Sequence, residues 1–206
     1  MITPERVLQS WFQGADPNAV PPEALFALWF RSTPQQDQEI AVAFGEAMRA
    51  AAAGDLDGWA ERPEGRLALI LLLDQFPRNA ARGTAMAFAG DPQARRHALE
   101  ALATGQDQAL PVLYRVFTYL PLEHAEDLAL QERCVGLMRA AAQSAPGALG
   151  AFLGAWVGYA EQHRDIIARF GRFPHRNAVL GRPSTEAEEA WLNGGGETFG
   201  QGKGSH

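Results

Sequence analysis

The stretch "LALILLLDQFPRN", residues 67–79, decides the fold. Its seven apolar residues, Leu67 to Leu73, leave no polar face, so periodicity alone fits a buried strand as well as a buried helix. No other segment alternates as a partner strand must, and a lone strand cannot satisfy its backbone groups inside a core. The run is therefore read as the central buried helix of an all-α fold. Pro77 disfavours helical geometry at Phe76, so the helix is expected to stop near Gln75 with Asp74 in its last turn. A carboxylate at the negative end of a helix dipole requires a cation, which Arg78, Arg82 or a more distant arginine supplies.

Outward from this helix the chain carries local start and stop signals. "TPERVLQSWF" opens with Thr3 as N-cap and Pro4 at the first helical position, and "VPPEALFALWF" starts similarly. "TPQQDQEIAVAFGEAMRAAAAG" carries Ile40, Phe44, Ala47 and Met48 at helical spacing and stops at Gly54. Asp91 as N-cap and Pro92 begin a helix that Gly105 ends. Two long helices, about 122–143 and about 147–170, are separated by "SAPG", a link short enough to make them antiparallel neighbours. Thr185 and Glu188 form a capping box for a short helix anchored by Trp191 and Leu192. Residues 1–193 are read as one domain. Residues 194–206 read as a flexible glycine-rich tail whose closing Gly-Ser-His is a cloning remnant, so His206 is not counted as a ligand.

Composition removes several chemistries. The formal charge of -6 argues against a nucleic-acid or anionic-membrane binder. Lys203, in the tail, is the only lysine, so the domain offers no Schiff base, pyridoxal-phosphate anchor or phosphate-loop lysine. The single cysteine, Cys134, excludes an intramolecular disulfide and reads as an inert core thiol. The amino terminus lacks a basic head followed by a long apolar run, and no apolar run is long enough for a bilayer, so a cytoplasmic protein is expected.

The polar residues gather in three places. Beside Asp74, Gln75, Arg78 and Asn79, the motif "YLPLEHAEDLALQE" is read as a helix starting at Pro121, with Glu123 and Asp127 on one face and His124 and Gln131 on another. In "EQHRDIIARFGRFPHRNAVLGR", His163 lies on the apolar stripe with Ile167 and Phe170. Glu161, Asp165 and Arg169 make a charge ladder, Gly171 ends the helix, and Arg172, His175, Arg176 and Asn177 follow in a loop. Residues 161–182 hold five arginines against Glu161 and Asp165, a local charge of +3 (5 - 2).

Two uses of these groups stay open. Arginine–carboxylate forks and backbone caps can simply fix turns and helix pairs. Alternatively the groups face a cavity, with Arg172 and Arg176 as forked donors to an anion and His163 or His175 as acid–base groups. Glu123, Asp127, His124 and His163 could supply oxygen and nitrogen ligands from two facing helices, but no metal is expected: "EHAED" and "EQHRD" lack the Glu-x-x-His spacing of helical carboxylate–metal proteins, and no HExxH is present. No cofactor is expected either, because the glycines near "RGTAMAFAGD" follow no strand. Trp11, Phe12, Trp29 and Phe30 are read as core, with an aromatic-lined groove as the alternative.

The motifs "LALILLLDQFPRNAARGTAMAF", "YLPLEHAEDLALQE", "HRDIIARFGRFPHRNAVLGR" and "STEAEEAWL" together resemble a large, mainly bacterial family, domain of unknown function 924. The resemblance runs from "WFQG" to "TEAEEAWL". It implies antiparallel helix pairs in a tetratricopeptide-repeat-like array and no assigned activity. The residues that the resemblance carries over are Asp74, Gln75, Arg78 and Asn79, then Glu123, His124, Glu126, Asp127 and Gln131, and last His163, Arg164, Asp165, Arg172, His175, Arg176 and Asn177. One departure is "VLQSWF", where an acid is expected in place of Gln9 or Ser10.

The expected function is binding of a small anionic molecule or peptide by an arginine-, histidine- and aspartate-rich site. It would use Asp74, Gln75, Arg78, Asn79, Glu123, His124, Gln131, Arg172, Arg176 and Asn177. The alternative is a hydrolase or lyase in which His163 or His175, polarised by Asp165 or Asp127, moves a proton on an anionic substrate. No activated serine or cysteine is visible, so neither reading involves a covalent intermediate.

Overall fold

The computed structural model describes residues 2–201, and its regular elements are all helical. The tail residues 202–206, including Lys203 and His206, lie outside the described residues. The helices are α1 (Pro4–Phe12), α2 (Glu23–Phe30), α3 (Pro34–Ala53), α4 (Pro63–Ile70), α5 (Phe76–Ala80), α6 (Asp91–Thr104), α7 (Val112–Glu123), α8 (Leu128–Ser144), α9 (Gly147–Phe170) and α10 (Glu186–Asn193). Two caps form as read, with Thr3 accepting from Arg6 N and the capping box closing at Thr185/Glu188, and the structure adds a capping box at Thr33/Gln36. The link Ala145-Pro146 turns α8 back along α9, and Gly150 comes so close to the Ala142 carbonyl that a Cβ would lie 3.0 Å from its oxygen. Among the described residues no helix is long and apolar enough to cross a membrane.

Leu67 to Leu73 are buried on every side, as a central helix requires. The expected stop at Phe-Pro does not occur. Phe76 keeps helical geometry (φ -61, ψ -42), and the chain passes from α4 to α5 through a widened π-turn over Leu71–Gln75, in which Phe76 N–H reaches back to Leu71 O. The reason lies in Pro77. Without an N–H it cannot serve the Leu73 carbonyl, and a locally widened helix gives its ring room without a break.

Gly90 then closes on the freed Leu73 carbonyl. A Cβ at residue 90 would stand 2.2 Å from that oxygen, so only glycine lets the start of α6 approach this closely. The approach brings Asp91 against Arg78: it is the first residue of α6 and not its N-cap, a place Gly90 takes, because its carboxylate is turned to the arginine.

A second correction concerns Pro121. It lies inside α7 and does not begin a helix. That helix ends at Glu123 and His124, and the chain extends at Asp127, whose carboxylate caps α8 by accepting from Leu130 N at 3.1 Å. Glu123 and Asp127 therefore share no face: Glu123 is buried, whereas Asp127 is an exposed N-cap. Gln131 secures the break by donating to the carbonyls of Glu123 and Ala125.

Candidate functional site

The break after α7, the π-turn, the middle of α9 and the loop after α9 enclose one cavity of about 520 Å³. Its polar wall carries Gln75, Arg78, Asn79, Glu123, His124, His163, His175 and Arg176. Asp74 lies directly behind this wall with no exposure. The facing wall is aromatic, built by Phe26, Trp29, Phe30, Trp156 and Tyr159. The aromatic pairs of the amino-terminal helices thus divide: Trp11 and Phe12 are core, while Trp29 and Phe30 line the cavity.

Both Phe-Pro motifs belong to this wall. Arg78 forks onto Asp91 (2.9 and 3.1 Å), and Arg176 donates to Asp91 Oδ2 at 3.1 Å, so residues 98 positions apart meet on one carboxylate. Phe88 completes the junction, with the Arg78 guanidinium 5.6 Å and the Arg176 guanidinium 4.6 Å from its ring centre. Arg176 is also 4.4 Å from the Phe173 ring, so two aromatic rings flank its guanidinium. Sequence reading missed Asp91 and Phe88.

Behind the wall, Asp74 binds Arg78 Nη1 at 3.0 Å and receives the Nδ1 proton of His124 at 2.7 Å, while Gln75 donates to its other oxygen. Burial alone would push the Asp74 carboxyl up, but Arg78 and His124 hold it below its usual range. Glu123 lacks such help. Burial, then the charge of Asp74, raises it to about 8 against the pull of Arg78. Burial and then His124 keep His163 well below the usual imidazole value, and burial with Arg176 and Arg78 lowers His175 to about 3. Both rings are neutral at pH 7. Arg176 is itself held down to about 10, first by burial and then by Arg78, against the attraction of Asp91.

Several residues expected at a site stand elsewhere. Asp165 is exposed and pairs with Arg164 at 2.6 Å, so neither it nor Asp127 polarises a histidine. Their place is taken by Asp74, on His124. Arg172 forks onto Glu188 (2.7 and 2.8 Å) and donates to Pro183 O, away from the cavity. Asn177 bonds Ser184, Glu188 and Arg182. Asn79 sits on the cavity wall, yet its amide donates to Leu28 O at 3.3 Å, fixing the end of α2. Glu126 clamps the loop that carries His175 and Arg176, through Arg182 (2.7 and 3.0 Å) and the Phe173 N–H. Gln9 and Ser10, where an acid was expected, are not on the cavity wall. Cys134 is buried, and burial pushes its thiol up.

The glycine-rich segment crosses the cavity as far as it is described. Phe199, in left-handed backbone geometry (φ 51), stacks on His163 with ring centres 3.6 Å apart. Gly200 O accepts from Arg82 at 3.1 Å, and the buried Gln201 side chain donates to Arg78 O at 3.0 Å. Phe199, Gly200 and Gln201 are therefore part of the site.

Arg172 and Glu188 give this corner an acid limit. The Arg172 fork, more than any other influence, lowers the Glu188 carboxyl to about 2, so its stabilisation is complete above the unfolded value of about 4.3 and is lost as pH falls towards 2. The melting-temperature gap between the parent chain and Glu188→Gln should therefore be constant from pH 7 to about 5 and close below about 4. A gap unchanged at pH 3 would show that charge at Glu188 contributes nothing.

Comparison with known proteins agrees with the helical fold. The chain belongs to the family described as bacterial protein of unknown function (DUF924), whose sequence profile matches residues 7–196. It is also similar to the solved structure of a protein of unknown function from Agrobacterium tumefaciens. The two are 42% identical, the match covers 93% of this chain and 97% of that one, and the TM-score is 0.74. The comparison with curated proteins gives no match.

Proposed function

We propose that this family member binds a small organic anion, with its charged group at Arg176 and His175 and its apolar body against Trp29, Phe30 and Trp156. The observation that carries the reading is the state of Arg176. Its side chain is 7% exposed and flanked by two rings, yet it makes one hydrogen bond to Asp91 and its buried Nε has no partner among the described residues. A guanidinium has five donors, and burying them unpaired is costly unless something else accepts from them. His175 Nδ1, nearby on the same wall, is likewise buried and unpaired.

A cavity of about 520 Å³ suits a small molecule better than an extended peptide. Apolar lining with a few converging polar groups is the usual make-up of such a pocket. In this reading the antiparallel α8–α9 pair is a unit of a tetratricopeptide-like array, and the protein works in the cytoplasm, in keeping with its one buried thiol.

A hydrolase or lyase is the second reading. Its support is the Asp74–His124 pair at 2.7 Å, which fixes one ring nitrogen and leaves the other as a base.

The binding reading is tested with an isosteric pair of probes, 3-phenylpropionate and its neutral amide, titrated calorimetrically and followed by melting. At 100 times its Kd the carboxylate should add about 2.7 kcal/mol, a rise of roughly 5–10 °C, and the amide should bind at least tenfold more weakly. Equal affinities, or no shift with the carboxylate at about 10 mM, would remove the anion pocket.

A further inference from the structure

We propose that Glu123, His124 and His163 form a binding site for one divalent transition-metal ion of the zinc class, open to the cavity on one side. Each offers one ligand atom, and the three atoms lie within 4.8 Å of one another. Bonds of about 2.1 Å in a tetrahedron separate ligand atoms by about 3.4 Å, so side-chain movements of about 1 Å close the set. Two imidazoles and a carboxylate are a donor set that suits zinc or another borderline ion.

Two further observations point to a cation here. The first is the outer shell. His124 Nδ1 faces the Asp74 carboxylate at 2.7 Å, and His163 Nδ1 faces the Tyr159 carbonyl at 2.8 Å. Both partners accept only, so each ring carries its proton on Nδ1 and keeps its lone pair on Nε2, the nitrogen that a metal ion would take. Metal-binding histidines are oriented in this manner by a carboxylate or a backbone carbonyl.

The second is Glu123. Its side chain is 7% exposed and lines the cavity, yet its carboxylate makes no hydrogen bond among the described residues; its nearest partner, His163 Nδ1, is at 3.4 Å. A buried carboxyl group without a hydrogen-bond partner is costly, and a metal ion that displaces its proton would satisfy it.

Charge agrees with this assignment. With Glu123 ionised, Asp74, Asp91 and Glu123 face Arg78 and Arg176, a sum of -1 (2 - 3). A divalent ion brings the sum over these five groups to +1. Three protein ligands also leave a fourth position for water or substrate, the arrangement of catalytic rather than structural zinc. The expected Glu-x-x-His spacing is absent because adjacent residues do this work: the end of α7 turns Glu123 and His124 into the cavity together.

The test uses the full chain, stripped by chelation, with cobalt(II) or zinc(II) as the only added probe, so its outcome does not depend on the organic anion. Calorimetry should give one ion per chain with a Kd in the micromolar range or tighter. Cobalt should develop the strong visible absorption of a four- or five-coordinate site. Glu123→Gln and His163→Gln, each checked for a cooperative melt, should weaken uptake at least 100-fold, while His97→Gln, at a buried imidazole in α6, should not. No stoichiometric uptake, or uptake that survives both ligand substitutions, would overturn the assignment.

Discussion

Asp74→Asn is expected to lower the melting temperature by about 6–12 °C, corresponding to a loss of about 3 kcal/mol. Asp74 is fully buried, and the substitution keeps its shape while removing its charge. Burial works against the native carboxylate, but Arg78 at 3.0 Å and the His124 ring at 2.7 Å more than offset that and keep it ionised. With a neutral amide in its place, two largely buried guanidiniums, Arg78 and Arg176, are left with Asp91 as their shared carboxylate. Breaking one member of a buried charge set costs most because the opposite charge remains. A double-mutant cycle isolates the effect. Asp74→Asn with Arg78→Met should cost at least about 1 kcal/mol less than the two single losses added together. Additive losses, or an Asp74→Asn protein that melts like its parent, would show that Asp74 does not anchor this wall.

Asp74 also shows how far the sequence could be read. Its need for a cation followed from its place near a helix end, and Arg78 was among the candidates. The π-turn that places the pair was not legible, because a Phe-Pro step usually ends a helix, and no local signal announces a helix that widens instead. The cap at Thr185 was legible because its partner lies three residues away. Asp91 was not: an acid in the first turn of a helix is already explained by the dipole, so nothing in "GDPQARR" marks it as the meeting point of two arginines. The end of α7 was hidden for a similar reason. "PLEHAEDLALQE" contains no glycine, and its proline signalled a helix start at a place where the structure has the last turn of a helix.

Arg172 and Arg176 make the limit plain. They are four residues apart in one loop, with equal charge and chain environment, and sequence reading gave them the same role. Their partners separate them. Glu188 takes the Arg172 fork on two oxygens, whereas Arg176 receives one bond from a carboxylate already forked by Arg78.

That difference gives Arg176→Met an unusual expected outcome: unchanged or higher stability, with binding of 3-phenylpropionate weakened at least 100-fold. A cation whose ionisation is held down to about 10, first by burial and then by Arg78, is disfavoured as a charge in the folded state. Replacing it with a neutral side chain of similar length relieves that cost. The thioether keeps favourable contacts with the Phe88 and Phe173 rings, and Asp91 retains both bonds from Arg78. The melting temperature should therefore stay level or rise by a few degrees, while the probe loses the donors that hold its carboxylate. Stability and binding moving in opposite directions is the signature of a residue held at a cost to the fold. The scaffold reading makes the reverse prediction, a fall of about 6 °C or more with probe affinity intact, because Arg176 would then be fastening its loop to α6.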